Sequence, residues 1–217
     1  MTPTRKTALI MLAMMAVEGW VLSLSLRRST STQVLALYNP TSAGWLACTL
    51  AVAVTAFYVW YAIRAFPLIG HRFFEFPPLK LLAGPFALIT GSMEELWFRK
   101  VAMDKVQNLG GHWLLQIVAA AVLFGVVHAI WGVFAGKWRV AVGSMVATGG
   151  LGAALAVLYL LGGRHLAPCI WAHILINLAI EPWLLLGAVT QGELSPASVS
   201  LESDESICST RPQHEGP

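Results

Sequence analysis

Residues 7–26, TALIMLAMMAVEGWVLSLSL, form an apolar run bracketed by Arg5-Lys6 and Arg27-Arg28. Crossing a bilayer takes roughly 20 such residues. A secretory signal peptide is the competing reading, but its apolar core is about 7–15 residues and ends at a small-residue cleavage site. This run is longer and ends in two arginines, so it reads as an uncleaved first membrane helix. The same pattern recurs along the chain. Residues 44–63 form a second span, ended by Arg64, and residues 79–105 a third that begins apolar, carries Gly84-Pro85 as a kink, and runs into Glu94-Glu95-Leu96-Trp97-Phe98-Arg99. Residues 113–135, 138–161 and 166–189 complete the set. Between them, residues 29–43 read as a polar loop with an Asn-Pro turn, and residues 64–80 carry too much charge to enter hydrocarbon. No repeat, heptad or strand alternation is present. The expected fold is all-α, a polytopic bundle of about six transmembrane helices, the architecture that satisfies backbone groups within lipid.

Composition agrees. Of 217 residues, 57% are hydrophobic and 12% charged, against about 45–50% and 25% in soluble domains. That excludes an ordinary soluble domain and a disordered chain, and with no dense basic patch it excludes a nucleic-acid partner. The formal net charge is +3, unevenly spread. After residue 189 there are five acids and one base, Arg211, so residues 1–189 hold 13 bases and 6 acids. The expected organisation is a membrane domain over 1–189, with its core at about 79–185, and a polar, disordered tail over 190–217. With the N-terminus inside, the inner segments hold eight basic residues and the outer ones four to six, which favours both termini in the cytoplasm. Gly/Ala/Trp-rich spans in so short a chain read as prokaryotic, so the expected location is a bacterial inner membrane. Cys48, Cys169 and Cys208 show no disulfide or zinc spacing.

Ionisable residues inside spans are costly and point to function. They cluster on three helices. Glu95 and Arg99 are four residues apart, on one helix face, and can pair. Glu94 is rotated about 100° away, has no local partner, and is free to face another helix as a general base. His128 stands four residues after Phe124, so the two rings share a face. His173 and Asn177 have the same spacing and offer two donors that can hold an oxyanion. Taken singly, each set also fits a structural reading: an ion pair at a helix end, a core histidine, interhelical hydrogen bonds. Glu18 in the first span is equally open to either reading. Glu181 beside Pro182 reads as structural, near a helix end.

Glu-Glu-x-x-x-Arg, then Phe-x-x-x-His, then His-x-x-x-Asn, in that order on separate helices, resembles the CAAX protease and bacteriocin-processing family of intramembrane glutamic proteases. The motifs cover about residues 79–185. The resemblance implies that Glu94 and His128 activate a water, that His173 and Asn177 stabilise the tetrahedral oxyanion, and that Glu95, Arg99 and Phe124 support the site. It implies peptide hydrolysis without an acyl-enzyme, no cofactor and no metal, on a protein or peptide substrate cleaved near membrane lipids. Lys100 departs from the glycine that often follows the motif arginine.

Three other readings use the same residues. Glu94, His128 and His173 are zinc-ligand types, although no His-Glu-x-x-His is present. Buried Glu, His and Arg also build proton relays and transport sites, but the chain is short and its hydropathy shows no inverted repeat. A non-proteolytic role in bacteriocin self-immunity is the third.

Overall fold

The computed structural model describes residues 1–27, 29–134 and 138–193. The tail expected over 190–217 lies outside these from residue 194 onward, as does Cys208. Among the described residues the regular structure is entirely helical: α1 Pro3–Leu26, α2 Ser31–Tyr38, α3 Gly44–Ala65, α4 Pro67–Arg72, α5 Pro78–Glu95, α6 Asp104–Asn108, α7 Trp113–Phe134, α8 Trp138–Leu161 and α9 Ala167–Glu193. Five of these, α1, α3, α7, α8 and α9, are long and apolar enough to cross a membrane. The third expected span is helical throughout 78–108, but in three pieces. Its apolar stretch is cut short by Glu94, Glu95, Arg99 and Lys100. It is therefore not among the helices long and apolar enough to cross a membrane.

Two stretches differ from the sequence reading. Residues 29–43 are not a loop throughout. Thr30 accepts from the Gln33 backbone N–H while the Gln33 side chain returns to the Thr30 N–H, a capping box that starts α2. Asn39 then caps a 3-10 turn over Pro40–Ala43. The second difference is a π-helix over Leu96–Met103, between α5 and α6. Widened turns of this kind occur frequently at functional sites. Pro85 and Pro182 sit inside α5 and α9 without ending either helix.

α9 is the central helix. It packs against α5, α3, α1, α4, α2 and α8, and 67% of its apolar window is buried within the protein, against 6% for α1. The outward faces are apolar: Val17, Val52, Phe57, Val122 and Val146 are all more than half exposed, as lipid-facing residues are. Ion pairs and hydrogen bonds close one end of the bundle. Asp104 accepts from Arg164 and, at 3.1 Å, from the Tyr159 hydroxyl, and pairs with Lys100 at 3.1 Å. Arg164 also donates to Gln116. It adopts φ 66°, a left-handed conformation that disfavours a side chain, and these contacts hold it there.

α7 and α8 form the tightest pair, through small residues. A Cβ on Gly125 would lie 2.5 Å from the backbone oxygen of Met145, which requires the helices to part. Gly125→Val is therefore expected to destabilise the protein by about 1–3 kcal/mol, the usual range for overpacking. The thermal midpoint in detergent measures it, and an unchanged midpoint would mean that α7 and α8 are farther apart than described.

Candidate active site

The polar residues of three helices meet at one place. Glu94 and Glu95 end α5, His128 lies on α7, and His173 and Asn177 face them from α9. Gly91 permits this approach, since a Cβ there would stand 3.2–3.3 Å from Ile174, next to His173.

The buried side of the site is an ionic cluster. Glu95 and Arg99 are both 0% exposed. Arg99 Nε lies 2.8 Å from Glu95 Oε2, and its Nη2 donates to Oε1 at 3.2 Å. His173, 2% exposed, brings Nδ1 to 2.8 Å from the same Oε1. Because a carboxylate only accepts, Nδ1 carries the proton, and Nε2 is left to face the opposite way. Phe124 packs against the whole group. Its ring stacks on His128 at 4.4 Å, meets His173 edge-on at 5.6 Å and Phe98 at 5.0 Å, and lies 5.5 Å from the Arg99 guanidinium carbon. Phe98 and Arg99, adjacent in the π-helix, both reach this one ring.

The open side centres on Glu94. Its Oε2 is shut off from solvent and has no hydrogen-bond partner among the described residues. His128 Nε2 stands 3.9 Å from it and His173 Nε2 3.5 Å. His128 donates its Nδ1 proton to the Phe124 carbonyl at 2.8 Å, so its Nε2, like that of His173, points inward. The Ser144 hydroxyl donates to the His128 carbonyl at 3.2 Å and ties α8 to the same turn. Asn177 is 8% exposed and donates through Nδ2 to Thr90 Oγ1 at 3.3 Å. That bond uses one of the two amide protons.

Beside Glu94 is a cavity of about 110 Å³, several times the ~10–15 Å³ that one water requires. Glu94, His128, Asn177 and Thr90 line it, together with Glu18 from α1 and Glu181 from α9. Glu181, read from the sequence as structural, thus shares the cavity with Glu94. Its spacing of four from Asn177 carried that signal. Glu18 could not be placed from sequence, because no local pattern links α1 to α5. Thr90, four residues before Glu94, was missed altogether. Among the described residues no group of three or more His, Cys, Asp or Glu is arranged to hold a metal ion.

Residues 76–179 match the model of a protein family described as type II CAAX prenyl endopeptidase Rce1-like. No curated protein and no solved structure matches the chain significantly. The match takes in every motif residue named above and bears out the resemblance to the CAAX protease family.

The Glu95–Arg99 pair yields a direct expectation. Removing one partner of a buried ion pair costs about 3–5 kcal/mol, because the other charge is stranded. Arg99→Ala should lower the thermal midpoint sharply and release His173 from its fixed orientation. A midpoint equal to that of the unaltered protein would show that water reaches Glu95.

Proposed function

We propose that this chain, as a protein of the CAAX-protease type, is an intramembrane endopeptidase that hydrolyses a peptide bond close to the membrane with a water activated by Glu94 and His128. One observation carries the reading. A carboxylate oxygen with no hydrogen-bond partner faces the inward nitrogens of two histidines whose other nitrogens are already committed. A carboxylate oxygen and the unprotonated ring nitrogen of His128 are both acceptors, and at 3.9 Å they call for a donor between them. A water molecule has two protons to give, and the adjoining cavity has room for it.

In this reading the water oxygen attacks the scissile carbonyl carbon. Its proton passes to Glu94, and His128 orients it through Nε2. The carbonyl π-electrons move onto oxygen, and this oxyanion is held by the second amide proton of Asn177 and by His173 Nε2 when protonated. The tetrahedral species collapses with cleavage of the C–N bond, and the proton held by Glu94 goes to the leaving amine. No acyl-enzyme forms. Glu95, gripped by Arg99, fixes the ring plane of His173 from behind, and Phe124 fixes that of His128. The chemistry asks for no resident metal, so a chelator should leave the rate unchanged.

The cavity wall includes Val127 and Ile130, each about half exposed on the outer face of α7, and Met14 and Glu18 of α1. A substrate can therefore enter from the side, between α1 and α7, as an extended segment leaving the lipid. That route suits a protein or peptide tethered to the bilayer: a lipid-modified C-terminus, a peptide leader, or a C-terminal membrane sorting signal. The core of this activity is residues 79–185.

Glu94→Gln keeps the shape and removes the base. Cleavage should fall by about 10²–10⁴, the usual contribution of a general base, with little change in thermal midpoint. Asn177→Ala should cost about 10²–10³, as for a lost oxyanion donor. Comparative proteomics of membrane and secreted fractions, original chain against Glu94→Ala, identifies the substrate by its uncleaved terminus. If no terminus changes while the variant protein is present at normal level, the same polar cluster serves transport or immunity instead.

A further inference from the structure

A second cluster lies away from the cavity, where α4 and the start of α5 meet the later turns of α9. Residues 66–77 connect α3 to α5 and follow a helix of spanning length, so they lie at the level of the lipid headgroups. Their aromatic side chains point outward: Phe74 is 87% and Phe76 80% exposed. Exposed rings at this depth rest in the interface.

Two cations converge beneath them on one indole. The Arg72 guanidinium is 6.0 Å and the Lys80 ammonium 5.8 Å from the centre of the Trp183 ring. Lys80 donates to the Phe73 carbonyl at 2.8 Å and lies 5.2 Å from the Phe73 ring and 5.4 Å from that of Phe76. An ammonium has three protons to donate, and among the described residues no carboxylate accepts from Lys80. Residues 64–80 hold three cations, Arg64, Arg72 and Lys80, with His71, against the single carboxylate Glu75. Glu75 is 3.8 Å from Arg72, with both side chains about half exposed, a contact of little strength. Trp183 is 1% exposed, yet its indole N–H, a donor only, has no acceptor among the described residues. Donors are in excess here, flanked by rings that rest among headgroups.

We propose that Arg72 and Lys80, gathered over the Trp183 ring, form a binding site for the phosphate of an anionic phospholipid headgroup, with Phe74 and Phe76 seated beside its acyl chains. The site joins α4, α5 and α9 at the interface. Binding there braces the two helices that carry Glu94, Glu95, His173 and Asn177, at a distance from the cavity. It does not depend on the proposed reaction.

The test uses the full chain reconstituted in mixed phosphatidylcholine and phosphatidylglycerol vesicles, with native mass spectrometry of the lipids retained on release. Phosphatidylglycerol should be retained in preference. Its ratio to phosphatidylcholine should fall roughly fivefold for each cation removed, the change expected for one basic residue near an anionic surface, in Arg72→Gln and again in Arg72→Gln/Lys80→Gln. Lys80→Arg keeps the charge and should keep the preference, so a double variant that fails to fold still leaves Arg72→Gln and Lys80→Arg to decide. Equal retention of the two lipids by the original chain would overturn the proposal. So would an unchanged ratio in Arg72→Gln. If inorganic phosphate added to phosphatidylcholine vesicles raises the thermal midpoint as much as phosphatidylglycerol does, the cluster takes a free anion, and the lipid assignment fails.

Discussion

The Glu95–Arg99 ion pair is the constraint around which the rest of this protein is arranged. Two full charges are held at zero exposure, inside a bundle meant for lipid. Such a pair survives only with close geometry and further hydrogen bonds on its remaining atoms. His173 supplies one of these, and Phe124 covers the guanidinium. α5, the π-helix, α7 and α9 are therefore fixed relative to each other by a single group of side chains. The pair also separates two roles that adjacent glutamates could share. Glu95 is occupied, and Glu94, one position earlier, is turned out of the cluster with an oxygen left unbonded.

The two histidines show how polar neighbours set ring orientation. Each has one ring nitrogen bound, His128 to a carbonyl of its own helix and His173 to a carboxylate of another. Each is thereby left with the other nitrogen facing the same carboxylate. Neither orientation is free to rotate away, since Phe124 lies against both rings. The small residues have a matching part. Gly91 and Gly125 bring α5 to α9 and α7 to α8 closely enough for these distances to exist.

The long spans and their order were legible because apolar runs of spanning length, ended by basic residues, have few other uses. The motif residues were legible for a local reason: spacings of four put Glu95 with Arg99, Phe124 with His128, and His173 with Asn177 on shared faces. What lay hidden depends on contacts between helices. Nothing local announces that Glu95 meets His173, that Thr90 holds Asn177, or that Glu18 shares a cavity with Glu94 and Glu181. The π-helix was hidden too. Its sequence, Leu96–Met103, reads as ordinary helix, and the wider turn appears only with Arg99 and Phe98 both drawn to Phe124. In α2 the capping box at Thr30 and Gln33 was present in the sequence, but the surrounding polar residues masked it as a loop.

α1 is the least embedded of the spans and still supplies Met14 and Glu18 to the cavity wall. One wall of the cavity is thus carried by the span least buried within the protein, while Glu94, His173 and Asn177 are carried by α5 and by α9, the most buried span. With 6% of its apolar window buried within the protein, α1 meets surfactant over most of its surface once lipid is replaced. Material that keeps its full helical signal in micelles can therefore have lost a wall of the cavity beside Glu94, and the choice of extraction conditions bears directly on any assay of the site.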